Sequence, residues 1–230
     1  MGKGEILNDG SFFLYYSSIA TILIDVLALL YLVGIIVCTR AYRKRGRLSD
    51  KIFFAGLILN IALAVSDAMI ICCCGYTAAG VMFFGSVQMV LHTVMGFITV
   101  LYLSSFLPSG ETRIKKLYKL YVIPVLAMAV LVVINLFTNI LFFADVEQDY
   151  VYAEGSDLLY CFLGVYVIIA IVLLWRISKR GMIALILLLV TGTILANLFY
   201  DISTLVFDYA VLLSYLLVGS MNRAFHEEEQ

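Results

Sequence analysis

The sequence predicts an all-α polytopic membrane protein of seven transmembrane helices, with the N-terminus outside and the C-terminus in the cytoplasm. Three observations lead there. Of the 230 residues, 63% are hydrophobic and only 13% charged, about half the charged share of a soluble domain, and the mean hydropathy is +1.05. The apolar residues gather into seven runs, each able to cross about 30 Å of hydrocarbon. The basic residues fall almost wholly on one side of those runs.

The runs cover residues 12–38, 52–75, 81–107, 121–143, 158–175, 182–200 and 205–222. Lipid offers no partner to a free backbone N–H or C=O, so runs of this length must be helices. The alternating pattern of a membrane β-barrel is missing. The first nine residues are too short and too weakly basic for a cleaved signal peptide, so the first span is expected to stay as an anchor. Ile6 stands where N-myristoylation of Gly2 needs Ser or Thr. With no Pro/Gly/Ser linker or low-complexity tract, residues 1–230 read as one transmembrane domain.

Orientation follows from Lys and Arg. Arg40, Arg43, Lys44, Arg45, Arg47 and Lys51 follow the first span; Arg113, Lys115, Lys116 and Lys119 follow the third. Arg176, Lys179 and Arg180 follow the fifth, and Arg223 the seventh. Fourteen of fifteen basic residues therefore share one side, leaving Lys3 on the other, and the positive-inside rule makes the basic side cytoplasmic. The first basic loop is read chiefly as a topology anchor, with contact to membrane lipid or an acidic partner secondary. These short basic clusters form no domain face of the kind that binds nucleic acid. The loop between the fourth and fifth spans is acidic, with Asp145, Glu147, Asp149, Glu154 and Asp157 beside Tyr150 and Tyr152. It is expected to be a solvated loop; the alternative is a lid that attracts cationic ligands.

An ionisable side chain in hydrocarbon costs at least about 2.5–3.5 kcal/mol, so each one marks a candidate site. Asp25 lies near the middle of the first span. In the second, Asn60 and Asp67 are seven residues apart and share a helix face. Gln88, His92 and Thr99 form a polar stripe on the third, where a buried neutral His92 bonded to a neighbour is the expectation over a ligand or a proton switch. Asn135 and Asn139 are spaced i, i+4 on the fourth span, Asn197 and Asp201 likewise on the sixth, and Asp208 begins the seventh. Most of these lie in the outer half. Polar bonding between helices alone would appear at any depth, so the bias favours a cavity open to the outside. Asp67, Gln88, His92, Asn135, Asn197, Asp201 and Asp208 are its expected ligand-binding residues, with Asp25, Asn60 and Asn139 as further intramembrane polar positions. The carboxylates suit a small extracellular ligand bearing a cation or several hydrogen-bond donors.

Enzymatic chemistry is not expected, nor any cofactor or metal. Every lysine lies in a loop or tail, so no retinal Schiff base forms in the bundle, and a single intramembrane histidine cannot pair across a haem. No GxSxG, HExxH or P-loop occurs. Asp25 and Asp67 lack the Gly-Asp setting of intramembrane aspartyl chemistry. Cys72, Cys73, Cys74 and Cys161 have no zinc spacing; they read as small apolar packing, with one bond from the run to Cys161 left open.

The segments SDKIFFAGLILNIALAVSD, Ser49 to Asp67, and INLFTNILFFADVEQDYVY, Ile134 to Tyr152, resemble the seven-helix membrane sensor modules that precede diguanylate cyclase (GGDEF) or histidine kinase domains in Gram-positive bacteria. The resemblance implies a sensory or receptor-like module of a bacterial cytoplasmic membrane. Such a module binds a ligand from outside and signals to a cytoplasmic partner; the output domain of those modules would begin where this sequence ends, so either another polypeptide supplies the output or the sequence is a stand-alone or excised module. A homo-oligomer is left open. The alternatives are a small-solute transporter of three plus one plus three helices, disfavoured because Pro108 and Pro124 avoid span centres and no repeat is evident, and a structural subunit. Reporter fusions check the orientation: alkaline phosphatase joined after Gln148 is expected to be active outside, and after Thr112 inactive.

Overall fold

The computed structural model describes residues 48–177 except 75, 108–109, 145–149, 154 and 156, together with the helical positions 22–23, 26–30, 32–34, 37 and 183. The sixth and seventh expected spans, most of the first, and both termini lie outside the described residues. The second to fifth spans are present as four helical stretches long and apolar enough to cross a membrane.

Helix α1 (Leu48–Cys73) starts four residues earlier than the hydrophobic run, with Asp50 in its first turn, where a carboxylate faces the positive end of the helix dipole. A tight turn then feeds α2 (Ala78–Ser104). Thr77 caps α2, its hydroxyl accepting from the Gly80 N–H at 2.8 Å, as N-cap residues do. Gly80 is required there, because a Cβ would sit 2.7 Å from the Cys73 sulfur. The basic loop after α2 is itself helical over Gly110–Tyr121, α3. It leads into α4 (Ile123–Thr138) with a break at Val122, and Pro124 sits in the first turn of α4, where its missing N–H costs little. Val122 N–H to Tyr118 O and Leu126 N–H to Val122 O carry the hydrogen-bond ladder across the break.

The sequence carries the fourth span to residue 143, whereas α4 stops at Thr138. Asn139 adopts the left-handed conformation (φ 53°, ψ 32°) and its N–H bonds to Asn135 O, which ends the helix in the way Gly or Asn usually does. Asn139 is therefore an exposed helix terminator. The segment expected to be a solvated loop then folds into a short hairpin. Strand β1 (Phe142–Ala144) pairs antiparallel with β2 (Tyr150–Tyr152), Phe143 opposite Val151. The reason is compositional: Phe and Tyr around a β-branched Val favour a pleated, half-buried surface. Helix α5 (Asp157–Ile177) follows.

Helix α2 is the hub, packed by α1, α4 and α5. One core cluster joins Leu57, Leu63, Met95, Leu103, Ala170 and Leu173, reaching Ala28 and Leu32. A second joins Met89, Met128, Val132 and Leu159 to Leu141 and Phe142 of the hairpin arm. The outward positions are apolar, among them Ile58, Val65, Leu126, Phe137 and Ile168, while Asn60, Asp67, Gln88, His92 and Asn135 are buried. Apolar outside with amides and carboxyl inside is the distribution a lipid solvent selects.

Asn135 anchors the hairpin. Its Oδ1 accepts from the Leu141 N–H at 2.6 Å and lies 3.4 Å from the Phe142 N, and its Nδ2 donates to Phe142 O at 3.0 Å. Replacing Asn135 with Ala is expected to cost about 1–3 kcal/mol, the penalty for stranding buried backbone groups. The check is a lower thermal midpoint and faster proteolysis at 141–153, with helical content kept.

Candidate functional site

The polar residues expected on the second and third spans meet along the seam between α1 and α2. Asp67 lies six residues from the end of α1, about 9 Å at 1.5 Å per residue. Gln88 of the antiparallel α2 faces it, and the Gln88 side-chain amide donates to Asp67 Oδ1 at 2.5 Å. Both are about 6% exposed. A second contact, Ser66 Oγ donating to Phe84 O at 3.1 Å, ties the residue before Asp67 to the turn of α2 that precedes Gln88. Seven residues of separation put Asn60 on the Asp67 face, about 10 Å deeper, and His92 lies one turn along α2 from Gln88, 3% exposed.

Asn60 is wholly buried, and among the described residues neither its carbonyl oxygen nor its amide nitrogen has a hydrogen-bond partner. Buried amides are nearly always satisfied, and one left unmade costs about 1–3 kcal/mol. Thr99 contributes less, since its hydroxyl donates back to Met95 O at 2.9 Å within its own helix; Thr93 does the same to Met89 O. The seam therefore holds a carboxyl, two amides and an imidazole in a column bounded by Leu57, Leu63 and Met95.

Of the remaining expected site residues, Asn135 spends its side chain on the hairpin backbone and Asn139 caps α4. Asp25, Asn197, Asp201 and Asp208 lie outside the described residues, so of the expected cavity wall only the α1–α2 face is on view. The hairpin arm seats Phe142 in a cluster with Met89, the residue after Gln88. This places the end of the expected fourth span beside the seam as a hairpin arm instead of a continued helix. Cys72, Cys73 and Cys161 carry free thiols, and among the described residues no three His, Cys, Asp or Glu side chains come together as a metal site.

Sequence reasoning missed Tyr166. Its ring fills the space at Gly96 of α2, where a Cβ would lie 2.5 Å from Cδ2. Its hydroxyl donates to Tyr121 O at 2.6 Å, with the Val125 amide facing the same oxygen, so it enters the helical ladder at the α3–α4 break, a recognised cause of helix bending. The one available signal was a Gly on the third span opposite a Tyr on the fifth, which without tertiary contacts reads as two unrelated apolar positions.

No protein family, curated protein or solved structure matches the chain.

The Asp67–Gln88 pair is testable by a double-mutant cycle. Gln88→Leu removes the donor from a buried carboxyl and is expected to cost about 1–3 kcal/mol. Asp67→Leu in the same chain recovers most of it, because replacing both partners by apolar groups leaves nothing buried and unmet. Thermal unfolding of the detergent-solubilised chain reads both.

Proposed function

We propose that this protein is a sensory, receptor-like module of a bacterial cytoplasmic membrane. A small ligand enters from outside and is held in the α1–α2 seam by Asp67, Gln88 and His92. Occupancy shifts helices and so informs a cytoplasmic partner. The observation that carries this reading is Asn60. If the intramembrane polar residues served only to join helices, a buried asparagine at the centre of the seam would bond to the neighbouring helix. Instead, among the described residues both ends of its amide stay unmet, which suits a site whose hydrogen bonds are completed by water or ligand.

A carboxyl flanked by amides selects a ligand carrying a cation and further donors, such as a small amine or a cationic amino acid. Helix α2 gives the site a route to the cytoplasmic side, since it holds Gln88 and, two turns further along, packs on Tyr166 through Gly96. Tyr166 in turn holds the start of α4. The resemblance to membrane modules that feed cyclase or kinase domains supports a signalling output over transport.

A thermal-shift panel of small amines and basic amino acids on the purified full chain tests the proposal. A ligand at about 100 times its Kd stabilises by ~2.7 kcal/mol, so a shift of several degrees is expected. Asp67→Asn abolishes that shift while leaving the ligand-free midpoint within a degree or two. Concentrative uptake of the same compound into proteoliposomes would instead establish a transporter, and a shift that survives Asp67→Asn would remove the seam from the account.

A further inference from the structure

A second feature, separate from the α1–α2 seam, lies between the α3–α4 break and α5. At the α3–α4 break an apolar groove of about 300 Å³ runs between Leu120, Ile123 and Pro124 on one wall and Val165, Tyr166 and Ile169 of α5 on the other. That volume is at the lower end of small-molecule sites, about 300–1,000 Å³. Leu120, Ile123 and Val165 are also exposed on the protein surface, so the groove opens sideways into the bilayer.

Both walls run toward the same end of the bundle, and both carry cations there. On α3, Lys116, Leu120 and Ile123 are spaced i, i+4, i+7, and Lys119 precedes Ile123 by four, so both lysines stand on the groove side of the helix. Hydrogen bonds across Val122 keep that spacing in register. On α5, Val165, Ile169 and Arg176 are spaced i, i+4, i+11, again one face. Lys116 lies seven residues beyond Ile123 and Arg176 seven beyond Ile169, about 10 Å in each case. All three side chains are exposed. Trp175, 60% exposed, adds the amphipathic ring that settles at headgroup depth.

We propose that this groove is a binding site for one anionic phospholipid. An acyl chain lies in the slot between α4 and α5, and the phosphate is held by Lys116, Lys119 and Arg176. The occupant follows from the combination. An uncharged lipid has no use for three cations at one end of a groove, and a free phosphate has no use for a slot walled by apolar side chains and tyrosine rings. Basic pockets between transmembrane helices bind acidic headgroups in this way. The chain tip meets Tyr166, whose hydroxyl holds Tyr121 O at the break, so lipid occupancy bears directly on the angle between α3 and α4.

Trp175 is the single tryptophan and, one residue before Arg176, reports lipid gathered at that end of α5 without labelling. The full chain is reconstituted in phosphatidylcholine bilayers containing chain-brominated phosphatidylglycerol or chain-brominated phosphatidylcholine at equal mole fraction. Quenching is expected to show a preference of about tenfold for the anionic lipid, the scale set by a few basic residues at a headgroup. Lys116→Gln with Lys119→Gln and Arg176→Gln brings the preference to within twofold of unity, whereas K116R/K119R/R176K retains it. Val165→Phe, which fills the slot and leaves the cations, also removes it. Millimolar inorganic phosphate leaves it unchanged. Equal quenching by the two lipids in the unmodified chain would overturn the proposal, as would a preference that survives either the triple Gln variant or Val165→Phe. Displacement by inorganic phosphate would overturn it too, by showing an anion site with no part for the slot.

Discussion

The hydrogen bond from Gln88 to Asp67 is the constraint around which the described bundle is arranged. Two apolar helices in lipid gain nothing from the hydrophobic effect by associating, because lipid tails are as apolar as their own side chains. Register between α1 and α2 must come from packing and from polar contacts that hydrocarbon cannot supply. A carboxyl on α1 and an amide on α2 meet at one register only, and the neighbouring Ser66 adds a second contact between the helices, to Phe84 O on the preceding turn of α2. Once α1 and α2 are locked, the remaining faces of α2 are free for α4 and α5.

The other polar contacts each solve a local backbone problem. Asn135 satisfies the chain where α4 gives way to the hairpin. Tyr166 occupies the break that Val122 and Pro124 create between α3 and α4. Gly96 and Gly80 are the spaces left for a Tyr ring and a Cys sulfur. Among the described residues Asn60 stands apart as a buried amide that packing and backbone leave unmet, and the proposed site rests on that difference from the other polar positions.

Much of this was legible in the sequence, for reasons that can be named. Four of the expected spans appear within a few residues of their places, since about twenty consecutive apolar residues have few alternatives in lipid. The seven-residue step from Asn60 to Asp67 and the four-residue step from Gln88 to His92 put those pairs on shared faces, and all four are buried. What the sequence concealed was what each polar side chain touches. Asn135 and Asn139 look like an i, i+4 pair facing a cavity, but one binds loop backbone and the other ends the helix. The hairpin was hidden because its strands are three residues each and its acidic charge dominated the reading. Helix α3 was hidden by its lysines, which mark a loop when counted and a basic helix face when wound at 3.6 residues per turn.

Cysteine cross-linking in a chain whose native cysteines are replaced tests the register of the seam most directly. With Cys at positions 67 and 88, oxidation is expected to join α1 to α2 in high yield, because the two side chains already meet. Cys at 67 and 84, or at 67 and 92, one turn to either side, should link poorly. Preferential cross-linking of 67 with 84 or 92 would show the helices out of register by a turn, and the pair that organises this account would not exist.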